Sequence, residues 1–283
     1  MAESPIAAKY DEEVLIIKPT KGWGSLNLRE LWLYRELVYF LTWRDLKVRY
    51  KQTALGAGWA ILQPVLSMIV FSIFFGGLLS VPSEGVPYPI FSYAALLPWG
   101  VFAKALNDTG RSLVSNRAML TKIYFPRMVI PLASVFSSLA DFLIAFVVML
   151  GLMVFYRIAP TSNIWTLPFF LLLAVITALG VGLWLSAMNV LYRDIGYMIP
   201  YITQLWFYLT PIVYPASEVP EQWQFFYALN PMVGVVEGFR WALLGTSDAP
   251  NPMIAVSATI AVVIFITGMF YFRRMERTFA DMV

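Results

Sequence analysis

Tyr197, Tyr201, Gln204 and Tyr208 recur at helical spacing, so a helix through them carries hydroxyls, an amide and flat rings along one face. An aromatic ring offers its π-face to the C–H side of a sugar, while Tyr hydroxyls and a Gln amide exchange hydrogen bonds with sugar hydroxyls. That combination suits a carbohydrate that slides rather than one that reacts. Trp59, Gln63 and Phe74 repeat it and fit on a shared face of an earlier helix. The same residues equally suit helix packing, with the Tyr hydroxyls satisfied by neighbouring helices. Covalent chemistry has little to work with. The 283 residues include no Cys and no His, which removes thiol nucleophiles, thiolate metal sites, disulfides and imidazole bases. No metal site and no catalytic residue is therefore expected. Asp141 is the one acidic residue well inside a long apolar stretch, a position that carries either function or a structural partner. The small residues of "PLASVFSSLAD" before it favour close helix packing and thus the partner. No G-x-x-x-x-G-K-[ST] phosphate loop occurs, so any ATP used must be bound by another polypeptide.

The elements that position these residues follow from composition. Hydrophobic residues make up 59% of the chain and charged ones 13%, with a mean hydropathy of +0.69. Soluble domains carry roughly 25% charged residues, so an integral membrane protein is expected. A charge at the bilayer centre costs about 2.5–3.5 kcal/mol, which makes charge-free intervals the guide to spans. They place six all-α transmembrane helices at about 55–80, 89–105, 131–156, 167–188, 197–214 and 252–272. The run "QWQFFYALNPMVGVV" is too short to cross and is split by "NP", so 215–247 reads as an external re-entrant hairpin between spans five and six. Of the 20 Lys and Arg residues, 18 fall on alternate connections together with both ends. The positive-inside rule then puts both termini in the cytoplasm. Anionic headgroups suffice to explain that basic face, and nucleic acid is not an expected partner.

Four connections bear on mechanism. The first residues, "MAESPIAAKYDEEVLIIKP", contain no cleavable apolar core, so 1–53 is read as a retained cytoplasmic segment ending in an interfacial helix. In "RDLKVRYKQTALGAGWAILQP" that helix is expected to pair Asp45 with Arg49 and to put Leu46 beside Tyr50. The change of character at Ala54 then marks an elbow, with Gly56 and Gly58 turning the chain into span one and Pro64 inside it. Between spans two and three, 106–128 holds break signals at "NDTG" and "FPR" around a short helix that Ser115 is placed to cap. It is either an interfacial helix or a docking helix for a cytoplasmic partner. Arg193 and Asp194 make a tight turn between spans four and five, and 273–283 forms a cytoplasmic tail.

Taken with "NRAMLTKIYFPRMVIPLA", "NVLYRDIGYMIPYITQLWFYLTPIVYP" and "NPMVGVVEGFRWALLG", the stretch "RDLKVRYKQTALGAGWAILQP" makes the chain resemble ABC-2 transporter permeases, in the branch that exports O-antigen, capsule or teichoic-acid polymers. The resemblance implies a bacterial inner-membrane permease that pairs with a second copy of itself and with two copies of an ATPase, which holds ATP and Mg. Its cargo would be a lipid-linked polysaccharide, as in lipopolysaccharide biosynthesis; a small lipophilic drug or lipid is the alternative. It also implies that Trp59, Gln63, Phe74, Tyr197, Tyr201, Gln204 and Tyr208 line the channel. Asn116, Arg117, Leu120, Lys122, Tyr124, Phe125 and Arg127 would belong to an ATPase-coupling helix. Trp223, Phe226, Asn230, Glu237 and Arg240 would sit in re-entrant helices at the outer gate.

Overall fold

A computed structural model describes residues 28–51, 56, 58–246, 252–276 and 279. The expectations for 1–27, for the boundary at Ala54 and for the end of the cytoplasmic tail lie outside these residues. Among the described residues the fold is all helix and contains no strand. In chain order the α-helices are α1 (Leu28–Leu33), α2 (Arg35–Lys51), α3 (Gly58–Phe71), α4 (Tyr88–Ser115), α5 (Arg117–Leu120), α6 (Val129–Tyr156), α7 (Leu167–Leu191), α8 (Ile195–Tyr208), α9 (Glu221–Ala228), α10 (Pro231–Leu244) and α11 (Pro252–Met275). A π-helical segment, Ser72–Leu78, prolongs α3, and a 3-10 turn, Ser162–Thr166, leads into α7. Among the described residues five stretches are long and apolar enough to cross a bilayer: Gly58–Leu78, Tyr88–Ser115, Val129–Tyr156, Ser162–Leu191 and Met253–Met275.

The core forms around α4, which packs along α6 and α7. Ile90, Phe91, Tyr93, Phe102 and Leu106 are completely buried on it, and the Tyr93 hydroxyl donates to the Ala145 carbonyl of α6 at 3.0 Å. Helices in a membrane gain little from excluding water between them, so they associate where small residues let backbones approach. The α7–α11 crossing does this at Gly180 and Gly268. A Cβ on Gly268 would stand 2.2 Å from the Gly180 carbonyl oxygen.

Side-chain bonds between distant segments define two ends of the bundle. At one end Arg44 of α2 donates to Asn116 (2.8 Å), Arg111 to the Gly196 carbonyl (2.9 Å), and the Arg127 guanidinium to the Glu276 carbonyl (3.0 Å). At the other, the Tyr88 hydroxyl donates to the Val213 carbonyl (2.6 Å), Ser217 to Glu84 (3.4 Å) and Thr161 to the Ala242 carbonyl (2.6 Å). The beginning of the described chain and the end of α11 therefore lie together.

Three expectations are corrected. The fifth span, expected over 197–214, is not a single helix, because α8 stops at Tyr208. Its 14 residues reach roughly 21 Å, short of the ~30 Å of a hydrocarbon core. Pro211 is the reason: it offers no N–H to the Phe207 carbonyl four residues back and pushes Thr210 out of the helical region. The second correction concerns "NDTG", which does not interrupt the helix. Asn107 donates to the Ala103 carbonyl (2.7 Å) and to Thr203 (3.1 Å), and Asn189 donates to the Gly110 carbonyl (3.1 Å), so α4 runs on to Ser115. Ser115 accordingly lies inside α4 rather than capping a new helix; Asn116 is the junction, and α5 spans only Arg117–Leu120. Third, Asp45 bonds Arg44 (2.8 Å), its immediate neighbour, while Arg49 reaches across to other helices. Elsewhere, α2 is helical through "DLKVRYK", Gly56 adopts φ +49, Pro64 lies within α3, and Tyr192–Asp194 is the turn between α7 and α8. The left-handed φ at Gly56 is one a side chain seldom adopts, as an elbow there requires.

Candidate functional site

The aromatic stripe on α8 faces away from the core. Ile199 and Thr203 are buried against α4, and one face round from them Tyr197, Tyr201, Gln204 and Tyr208 are all exposed, Tyr197 to 83%. Trp59, Gln63 and Phe74 are exposed in the same way on α3 and its π-helical extension. Aromatic contacts bring the two elements side by side: Phe71 lies 5.8 Å from Phe207, Trp99 of α4 lies 5.4 Å from Phe207, and Trp206 packs edge-on against Phe102 at 4.9 Å. The bundle thus keeps its bulky rings inside α4 and α8 and presents a row of Tyr, Trp and Gln outward. Gly58–Leu78 has only 6% of its apolar window buried, so this flank of the molecule is nearly bare.

A charged network lies at the end that holds α2. Asp141 on α6 accepts from Arg49 (2.9 Å), from Lys104 (3.3 Å) and from the Tyr50 hydroxyl; Asp108 on α4 accepts from Arg49 (3.3 Å) and lies 3.8 Å from Lys104. Two cations and two carboxylates balance, which is how ionised groups persist beside an apolar interior. Burial, and then the bond to Asp141, raises the Tyr50 hydroxyl to about 12, so it remains a donor throughout the physiological range. Lys104 and Asp108, one helical turn apart, carried a sequence signal as an i,i+4 pair, and Asp141 was visible as a lone acid. That α2 joins them was not visible, because the link spans 92 residues.

The expected coupling residues divide between exposed and anchored. Arg117, Lys122 and Tyr124 are exposed at this end, Leu120 is half-buried, and Phe125 is buried. Asn116 is held by Arg44 and donates to the Ser112 carbonyl (2.9 Å). Arg127 is tied to the end of α11, where its backbone N–H donates to the Glu276 carboxylate at 3.0 Å and its guanidinium lies 5.8 Å from the Phe279 ring.

At the opposite end α9 and α10 form a hairpin broken at Asn230–Pro231. Asn230 accepts from the Met232 N–H (3.0 Å), capping α10, and Pro231 occupies its first turn. Trp223 and Phe226 on α9 are exposed, whereas α10 is almost wholly buried. Arg240 has no exposed surface. It bonds Glu237 (3.0 Å) and the carbonyls of Ile212 (2.9 Å) and Tyr214 (3.3 Å), and it lies 3.6 Å from the centre of the Phe91 ring. Glu84, absent from the expected site, completes this end. Burial, then the neighbouring Glu237, raises its carboxyl above the usual carboxylate range, against the lowering by Arg240. Its position in "VPSEGVPYP" reads simply as a turn, so no sequence signal marked it.

Several apolar helices, a hairpin that turns back at one end and a bare polar-aromatic flank define a multi-pass membrane protein. Residues 36–244 match the family model described as ABC-2 type transporter, and the chain belongs to that family. It is 31% identical over 261 residues to an O-antigen export system permease protein of Myxococcus xanthus, covering 90% of this chain and 98% of that one. An O-antigen export system permease protein of Klebsiella pneumoniae is 27% identical over 249 residues (88% and 95%), and a polysialic acid transport protein of Escherichia coli 22% identical over 238 (82% and 91%).

Proposed function

We propose that the chain is the permease subunit of a bacterial inner-membrane ABC exporter, which as a homodimer moves a lipid-linked polysaccharide out of the cytoplasm. The similarity to O-antigen export permeases along almost the full length of both chains carries this conclusion. The exposed row Tyr197, Tyr201, Gln204, Tyr208 with Trp59, Gln63 and Phe74 supports it, because a conduit formed between two copies needs sugar-compatible rings and donors on its unpaired flank. A separate ATPase subunit binds ATP and Mg and docks at the end formed by Asn116, Arg117, Leu120, Lys122, Tyr124, Phe125 and Arg127; the chain itself is not an enzyme.

The bonds at the two ends support one topology. Gly196 lies beside Arg111, Thr203 beside Asn107 and Val213 beside Tyr88, so α8 and residues 209–213 run antiparallel to α4 over roughly 35 Å at ~1.5 Å per residue. A short helix and a broken segment together make the crossing that no long helix makes. Read with the five long stretches among the described residues, this supports six crossings, an even number that agrees with both ends of the chain lying on the basic, cytoplasmic side. The test is reconstitution of the permease with its ATPase in vesicles loaded with lipid-linked polymer. ATP-dependent appearance of polymer on the far leaflet is expected, and ATP-dependent movement of a small lipophile without movement of polymer would overturn the assignment.

A further inference from the structure

Where α8 ends, its backbone does not simply dissolve into a loop. Past Pro211 the chain does not resume i→i−4 bonding, and non-helical backbone at membrane depth is tolerated only where other protein groups satisfy it. Here the groups come from the hairpin. Asn230 donates its amide Nδ2 to the Leu209 carbonyl (2.8 Å) and to Thr210 (3.1 Å), and its Oδ1 accepts from the Trp206 indole (2.8 Å). Arg240 takes the next carbonyls, Ile212 and Tyr214. Arg240 belongs to the most enclosed part of the hairpin: Val235, Val236 and Phe239 have no exposed surface, and its guanidinium is itself held by Glu237 and the Phe91 ring, whereas the Asn230 bond to Leu209 lies at the surface.

The other end of α8 is tied differently. Its bond to Arg111, through the Gly196 carbonyl, is exposed to solvent, where water replaces a hydrogen bond at little cost. Losing a buried charge-assisted bond leaves the partner unsatisfied and costs far more. The stretch that follows α8, with Thr210 and Ile212 buried, is therefore fixed to the core by Arg240, while the first turn of α8, ahead of the Ile199 contact with α4, is held by the exposed Arg111 bond.

We propose that Arg240 and Asn230 are positioning residues that pin the outer end of α8 to α10, making residues 209–214 the pivot about which α8 and its aromatic row swing during transport. The inference rests on the export function proposed above for its consequence, but the pivot itself is a mechanical property with its own readout. Only the direction of motion is set here: the inner end around Tyr197 travels, and the outer end around Leu209 does not.

The absence of Cys makes the test direct, since single cysteines can be spin-labelled without removing native ones. In the assembled permease–ATPase complex, labels at Tyr197 and at Leu209 are each measured against a label at Trp165, an exposed site in the turn before α7. On adding ATP the Tyr197 distance is expected to change and the Leu209 distance to stay fixed; equal displacement of both would overturn the pivot. The pin is tested by Asn230→Asp, which keeps the acceptor oxygen that caps α10 and receives Trp206 but loses the amide that holds Leu209. A residue that merely capped a helix would tolerate this change. We expect the Leu209 label to become about tenfold more mobile and export to fall by about tenfold, with assembly onto the ATPase retained. Unchanged label mobility would sink the assignment. If Asn230→Asp does not assemble, Arg240→Lys serves, because a single ammonium cannot reproduce the planar fork that spans Ile212 and Tyr214. Should the label results hold while no polymer is moved by the unmodified complex, the cargo assignment fails and the pivot stands.

Discussion

Asp141 is the residue whose meaning changes most between sequence and structure. Alone in an apolar stretch it had two meanings, and its contacts select the structural one: it gathers Arg49, Tyr50 and Lys104 from α2 and α4. Removing its carboxylate leaves two cations with Asp108 alone. Because these side chains keep partial access to water, we expect Asp141→Ala to destabilise the complex by ~1–3 kcal/mol rather than by the full cost of a buried charge. A double-mutant cycle with Arg49→Ala, read by thermal unfolding in detergent, should show strong coupling; additive effects would mean the pair contributes nothing. Glu84 makes a pH prediction. Its folded pKa is raised, so the folded state holds the proton more tightly than the unfolded chain does. The stability it contributes is present below the ordinary carboxylate pKa and is lost as pH rises through the raised value. The melting temperature should fall as pH is increased through that window, and Glu84→Gln should flatten the slope. Such partners are hidden from the sequence because each charge network joins helices far apart in the chain.

Among the elements, the short segment between α4 and α6 is fastened at both ends: Asn116 to α2 by Arg44, and Arg127 to α11 by Glu276. Any force applied to its exposed Arg117 and Lys122 would reach α2 and α11 as well as the flanking α4 and α6. Arg127→Glu places a second carboxylate beside Glu276 and is expected to reduce ATP-driven export at least about tenfold, and Glu276→Arg added to it should restore part of the loss, as reversed pairs do. Restoration to no degree would argue that Arg127 touches only the ATPase. The limits of sequence reading are plainest here. Charge-free intervals located the long helices well, because apolar length is a local property. They misplaced the end of α8, where "LTPIVYP" stays apolar while Pro211 breaks the helix, and the end of α4, where "NDTG" looks like a break but is held helical by Asn107 and Asn189. In both places hydropathy and backbone geometry give opposite answers, and only packing decides.

For the whole molecule, the two ends differ in charge as much as in structure. A cysteine at Ser83, in the turn between α3 and α4, should react with a membrane-impermeant maleimide added outside intact cells; one at Lys122 should react only after the membrane is opened. The reverse pattern would invert the topology. Exposed rings on α3 and α8 were foreseeable as a polar-aromatic pattern, but that these faces stay uncovered while α4 takes the centre was not. Sequence gives periodicity, and it does not say which of several apolar helices the others will surround.

That choice of centre has a consequence for how the chain is made. Of the five long stretches, Tyr88–Ser115 has the lowest mean hydropathy, 1.2 against 2.0 or more for the rest, yet it is the most enclosed, with 78% of its window buried. A helix that partitions weakly on its own must be retained by neighbours synthesised after it, chiefly α6 and α7. Chains truncated near residue 125 and released from the ribosome should therefore show α4 only partly inserted, and chains long enough to include α7 should show it committed. Biogenesis would then proceed by later, greasier helices closing around an earlier reluctant one, and any substitution that loosens α4 from α7 would surface first as a defect of insertion rather than of transport.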